Sequence, residues 1–223
     1  MSNKITFLAE IGINHHGDFE KAKRMCSKAV DAGATYVKGQ YYNPHKVLGP
    51  THPELQYAIQ CQFSRQQHEQ LAQYCRTLGS HYGVSVFSPY DIGWLDGFSV
   101  FHKIASRMNQ NAEFIQKIEK CKKITFISVQ PEHGIRIPDR FKMMWCIREY
   151  PSFKSDILDY PYNNNFGLSS HCPDPSATLE AIKIGARVVE NHLVESRDEE
   201  GCDVSSSLTF EEYKKMIREA EKV

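Results

Sequence analysis

The 223-residue chain carries no excess charge of either sign, since 27 lysines and arginines face 27 aspartates and glutamates. Net charge therefore gives no pull toward nucleic acid or an anionic membrane, neither of which is expected as a partner, and any anion must be bound locally. No apolar run approaches the ~20 residues that cross a bilayer. The start, Met1-Ser2-Asn3-Lys4, leads straight into a strand-like pattern without a signal-peptide core, which predicts a cytoplasmic protein. Paired cysteines are missing too: Cys26, Cys61, Cys75, Cys121, Cys146, Cys172 and Cys202 are odd in number, scattered and free of any C-x-x-C motif. That usage suits reduced core thiols and argues against a disulfide framework or a zinc ribbon. No internal repeat, low-complexity tract or linker divides the chain, so one domain over 1–223 is expected.

What the chain does have is alternation. Residues 5–9 read as a buried strand; Asp18 then caps a segment whose Ala22, Met25, Cys26, Ala29 and Val30 share one helical face, until Gly33 stops it. Residues 36–38 form a second strand, and Ser64 with Gln67 opens a helix carrying Leu71, Tyr74, Cys75 and Leu78. Further strands are predicted at 84–87, 101–104, 124–128, 142–146, 166–169 and 187–193, bringing the count to eight. Helices are predicted at 111–120, at 175–185 behind Asp174, and at 209–223, where Thr209 and Glu212 suit a capping box. Strands alternating with helices imply a parallel sheet, and eight of them point to a (β/α)8 TIM barrel. The stretch 130–140 holds two prolines and no helical periodicity, so the helix between strands five and six is expected to be reduced or missing. That deletion suits a chain shorter than the ~250 residues typical of such barrels. Residues 160–165 read as a loop.

Polar residues that are costly to bury recur at strand ends: Glu10, Lys38 with Gln40, Ser88, Lys103 with Ser106, Ser128, Ser169 with His171, and His192. In a barrel those ends share the face where active sites assemble, and a lysine inside an apolar strand needs an anionic partner. A single such lysine is as well explained by a structural ion pair or a snorkelling side chain, but two converging suggest a multiply charged anion. His171 and His192 end consecutive strands and could approach one cation, with a carboxylate such as Glu10 nearby. A thiolate from Cys172 or Cys202 would favour zinc or iron there. The other histidines lack paired spacing and are assigned no role.

The run Ala9-Glu10-Ile11-Gly12-Ile13-Asn14-His15-His16-Gly17-Asp18 resembles the opening motif of N-acetylneuraminate (sialic acid) synthases and their pseudaminic and legionaminic acid relatives. The resemblance continues in the family's order through Val37-Lys38-Gly39-Gln40, Ser88-Pro89-Tyr90-Asp91, Lys103-Ile104-Ala105-Ser106, Tyr150-Pro151, Gly167-Leu168-Ser169-Ser170-His171, Glu190-Asn191-His192 and Gly201-Cys202-Asp203. It implies a metal-dependent synthase that joins phosphoenolpyruvate to a sugar aldehyde and uses a divalent cation, manganese first, with magnesium, cobalt or zinc as alternatives; a homodimer is expected because symmetric dimers are the commonest assemblies. On that resemblance Lys38, Ser88, Lys103, Ser106, Ser128 and Ser169 would hold phosphoenolpyruvate, and His171 and His192 the metal. Glu10 would act near the reacting carbons, and Gln40, Tyr150 and Asp203 would line the sugar side.

The chain also departs from the family pattern. Arg107-Met108 stands where the family has Gly-Glu, whose carboxylate contacts the acceptor, and the family's C-terminal antifreeze-like domain has no counterpart after Val223, which predicts a reduced lid. Gly39 replaces an aromatic, Ser170 an aspartate, Val129-Gln130 a Thr-Gly pair, and Val204 a histidine, departures expected to concern mostly the acceptor side. Arg107 and Arg148, new cations on the catalytic face, suggest an anionic acceptor or a replacement for the missing domain's arginine. A non-catalytic relative that keeps the pocket is the alternative, and a metal-dependent isomerase or lyase is disfavoured by the scarcity of carboxylates around the two histidines.

Overall fold

The computed structural model describes residues 4–130, 134, 136–163 and 166–223. The chain start at 1–3 and parts of the two predicted loops, at 131–133, 135 and 164–165, lie outside the described residues. In chain order the elements are β1 (Thr6–Gly12), α1 (Phe19–Asp31), β2 (Tyr36–Tyr41), α2 (Pro44–Val47), α3 (Leu55–Gln60), α4 (Arg65–Thr77), β3 (His81–Val86), α5 (Ile92–Phe98) and β4 (Phe101–Ile104). There follow α6 (Ala112–Lys120), β5 (Ile124–Val129), β6 (Lys142–Cys146), α7 (Lys154–Leu158), β7 (Phe166–Ser170), α8 (Pro175–Ile184), β8 (Val188–Val194), β9 (Leu208–Thr209) and α9 (Phe210–Ala220). Neighbouring strands pair in parallel from β1 to β8, and β8 returns to β1, so eight strands close a TIM barrel. The two-residue β9 lies outside the ring, pairing Leu208 with Leu193.

The predicted caps are made. Asp18 accepts from the Lys21 amide at 3.0 Å, and Ser64 with Gln67 and Thr209 with Glu212 form reciprocal capping boxes. No helix joins β5 to β6 among the described residues. Four helices went unpredicted: α2 and α3 are only four and six residues long in a polar stretch, α5 carries Gly93 and Gly97, which weaken its helical signal, and α7 is only five residues long. The third strand runs over His81–Val86 rather than 84–87, so Ser88 lies two residues beyond its upper end.

Between strands and helices lies the main apolar core, to which α1 contributes Ala22, Met25, Cys26 and Ala29. At Gly39 a Cβ would collide with the Tyr82 hydroxyl, which fills that space and meets His68 Nδ1 at 3.0 Å. The glycine there answers a packing demand outside the barrel, so this departure from the family does not concern the acceptor side.

His68 joins His15, stacked on Phe63 at 4.0 Å, in an aromatic cluster under α4. Both histidines are buried, and burial pulls each down to about 3. Between about pH 6.5 and 3 the unfolded chain takes up protons that the folded chain refuses, so stability is lost as pH falls through that window, each histidine costing up to ~1.4 kcal/mol for every pH unit crossed. The melting temperature should therefore drop steadily from pH 6.5 to 4, and His68→Gln should flatten the drop. Parallel slopes for variant and native protein would remove the histidines as its cause.

Candidate active site

The barrel interior is built in rungs two residues apart, as strand alternation requires. Leu8, Phe101, Phe126, Met144 and Val188 form a buried apolar layer, with Tyr36 against it. Two residues further along the same strands stand Glu10, Lys103, Ser128, Cys146, Glu190 and Lys38. One rung therefore separates a hydrophobic plug from a layer of charge, on the face where the strands end. Ser85 of β3 and Ser169 of β7 complete this polar layer, and above it Gln40, His171 and His192 line a cleft of about 740 Å³.

The four charges in the layer are almost fully buried. The register sets Glu10 beside both Lys38 and His192. Glu10 Oε2 contacts the Lys38 ammonium, while Oε1 accepts from the Gly12 amide at 2.7 Å. Glu190 Oε1 lies 3.2 Å from Lys103 Nζ and accepts from Ser169 Oγ at 3.0 Å. Lys38 donates to Ser85 Oγ at 3.0 Å, and Lys103 to Ser128 Oγ at 2.9 Å. Burial alone would raise the Glu190 carboxyl, but Lys103 and Lys38 outweigh it and hold the group below the usual carboxylate range. Burial lowers Lys38 to about 8; Glu190 opposes that fall and Lys103 adds to it, while the Glu10 carboxylate in contact favours the charged ammonium. Paired charges with hydroxyl partners offset a desolvation penalty that isolated ones could not.

Above this layer His171 and His192 face each other with ring centroids 5.3 Å apart. Burial pulls His171 down to about 3, with His192 adding to the effect, so its ring is neutral. Its Nδ1 lies 2.6 Å from the Ile147 carbonyl and must carry the proton, which leaves a lone pair on Nε2, where the Tyr150 hydroxyl donates at 2.7 Å. His192 Nδ1 is buried and lacks a hydrogen bond, with Asp203 Oδ2 3.3 Å away but not aligned for one. A neutral imidazole fixed through a backbone carbonyl, a second imidazole with an orphaned nitrogen and an adjacent carboxylate are donors that fit a divalent cation. Among the described residues the set of three such groups within 4.8 Å of one another is a different one, Asp96, His102 and Cys121 in the helical layer. There Lys123 Nζ, 3.1 Å from Asp96 Oδ1, already supplies the positive charge, and we assign that set no cation.

Of the residues singled out from the sequence, Glu10, Lys38, Gln40, Lys103, Ser106, Arg107, Ser128, Arg148, Tyr150, Ser169, His171, His192 and Asp203 all line the cleft. Ser88 does not: it sits beyond β3, its Oγ accepting from the Tyr90 amide at 3.3 Å, and Ser85 takes the inward position. Glu190 and Cys146 were missed as site residues, although each follows an apolar inward neighbour at a spacing of two. Met108 packs against the main core, and Ser170 turns outward, its Oγ accepting from the Cys172 amide at 3.2 Å.

The sequence profile of the NeuB family matches residues 25–132 and 137–223. Pseudaminic acid synthase of Campylobacter jejuni (strain 81-176) is 28% identical over 247 residues, covering 96% of this chain and 72% of the relative. N-acetylneuraminate-9-phosphate synthase of Homo sapiens is 26% identical over 250 residues, covering 95% of this chain and 68% of its own. Among solved structures, the N-acetylneuraminic acid synthetase of Leptospira borgpetersenii, crystallised with citrate, superposes with a TM-score of 0.87 over 99% of this chain and 84% of that one. At 22% identity that likeness shows the shared barrel.

Proposed function

The chain belongs to the NeuB family, and from that premise we propose that it joins phosphoenolpyruvate to the aldehyde carbon of a sugar, giving a 2-keto-3-deoxy sugar acid and phosphate. The observation that carries this reading is the layer of two lysines and three hydroxyls on an apolar plug, which can receive a small, multiply charged anion in a water-poor site. His171, His192 and Asp203 would hold the divalent cation, which when bound polarises the acceptor aldehyde.

The chain's own residues then divide the work. Lys38 and Lys103 neutralise the carboxylate and phosphate while C3 of the enol attacks the aldehyde carbon, whose oxygen becomes a hydroxyl on taking a proton. The cationic carbon left at C2 takes up water; Glu10, buried and braced by the Gly12 amide, accepts the water's proton. The C2 hydroxyl then gives up its proton as the bond from C2 to the phosphorus-bearing oxygen breaks; phosphate leaves with that electron pair, takes up the proton, and the ketone remains. Gln40 and Tyr150 border the space above, where the sugar would lie.

Purified protein with manganese, phosphoenolpyruvate and a panel of aldoses including N-acetylmannosamine should release phosphate and yield a 2-keto acid of the summed mass. Phosphoenolpyruvate bound with no product from any sugar would favour a non-catalytic relative, a reading that Met108 supports by standing in the core where the family's acceptor carboxylate would be. Chelation should abolish turnover without unfolding, with recovery on adding manganese, and His171→Ala should weaken metal binding at least ~10-fold. Turnover that survives exhaustive chelation contradicts the metal role.

A further inference from the structure

Arg148 is braced. On the loop after β6, its Nε donates to Ser106 Oγ at 3.1 Å and its Nη2 to the Ser106 carbonyl at 3.3 Å. Ser106 Oγ also accepts from Gln130 Nε2 at 2.7 Å, and Gln130 Oε1 accepts from the buried Asn109 at 3.1 Å. Asn109 in turn donates to the Ser128 carbonyl at 2.9 Å, on β5. A guanidinium that is merely solvated would not be tied to the barrel wall by such a chain of hydrogen bonds. Nη1 of Arg148 has no partner in that chain, and Arg107, in the Ser106–Met108 turn, makes neither a hydrogen bond nor an ion pair among the described residues. Both line the cleft.

No carboxylate answers them. Of the acidic groups lining the cleft, Glu10 and Glu190 are committed to the lysines and Asp203 stands beside His192. Glu54, before α3, follows β2, which lies across the ring from β6. The wall above β4 to β6 therefore turns two cations to the cleft, outward of the lysines, while Glu149, next to Arg148 on the loop, does not line it.

We infer that the acceptor is an anionic aldose whose phosphate or carboxylate, at the end remote from the aldehyde, is received by Arg107 and Arg148. This rests on the synthase reading above. The guanidinium fork suits both anions, while the ammonium and hydroxyl donors of the layer beneath are those assigned above to phosphoenolpyruvate. The pair thus sets specificity at the outer end of the cleft.

The test compares N-acetylmannosamine, its 6-phosphate and a hexuronic acid, in turnover and in calorimetric binding with phosphoenolpyruvate and manganese present, for native protein and for Arg107→Ala, Arg148→Ala and the double variant. The native protein should favour an anionic sugar over the neutral one at least tenfold. Each substitution should cut that ratio roughly tenfold, through KM. Equal use of neutral and anionic sugars by the native protein overturns the inference, as does a rise in the KM of phosphoenolpyruvate in place of that of the sugar. If no sugar turns over, arginine-dependent binding of the anionic sugar keeps the inference and removes the synthase reading; binding indifferent to both arginines removes the inference.

Discussion

Lys103→Met is expected to abolish phosphate release from phosphoenolpyruvate and also to destabilise the fold by ~3–5 kcal/mol, because it strands the Glu190 carboxylate in the interior. Glu190 would keep only Lys38, 3.9 Å away, as a lysine partner beside the Ser169 hydroxyl, and its Oε2 already lacks a hydrogen bond. For a chain of this size that loss corresponds to a fall in melting temperature of roughly 10 °C. Its pH dependence has a definite sign. In the native protein Glu190 is held below its unfolded value, so its contribution is present above about pH 4.5 and is lost as pH falls through the folded value. In the variant, burial prevails and raises the group, so the penalty is greatest at neutral pH and eases on acidification. Adding Glu190→Gln to Lys103→Met should restore most of the melting temperature while leaving the enzyme inactive. A single variant that melts with the native protein, or a double variant that stays unstable, would show that the buried pair is not coupled as described.

Glu10→Gln should reduce kcat by about 10²–10⁴ with phosphoenolpyruvate still bound. The amide keeps the side chain's shape and can still accept from the Gly12 amide, but it can take no proton from water and turns a neutral donor toward Lys38. Isothermal binding of phosphoenolpyruvate, beside steady-state phosphate release, separates the two roles open to Glu10. Lost turnover with retained binding supports proton transfer at C2. Turnover within tenfold of native would leave Glu10 as a structural counter-ion of Lys38. Gly12, whose φ of 44° is left-handed, holds the backbone so that Glu10, Gln40 and Asp203 crowd its α-carbon, and a Cβ there would sit 3.2 Å from Asp203 Oδ2.

The two lysines were legible because an ammonium inside a strand as apolar as these needs an anionic partner, and the closed ring of strands places both in one layer. Ser85 was not read from the sequence for a reason equally physical. A strand begun at residue 84 offers Ser88 as the polar residue after its end, whereas Val84 and Val86 pack outward and alternation turns Ser85 inward. Glu190 was hidden by its neighbour: His192 drew notice as a ligand, while the carboxylate one rung below shares its face. Gly39 misled in the opposite direction, since no local pattern reveals that a tyrosine on the next strand fills the space of a missing side chain. Arg107 and Arg148 were visible as departures, but their link through Ser106 depends on a contact across 42 residues of chain.

The apolar plug beneath the charged layer has a kinetic meaning. Leu8, Phe101, Phe126 and Met144, each 3% exposed or less, close the barrel below, so reactants and products share a single doorway. A donor seated on the lysines lies underneath any acceptor that reaches the arginines. Two reactants stacked in a vessel with one mouth enter in compulsory order, the deeper first, and an acceptor that arrives early obstructs the donor. Initial-rate patterns should then be those of an ordered sequential mechanism, with excess acceptor inhibiting competitively against phosphoenolpyruvate.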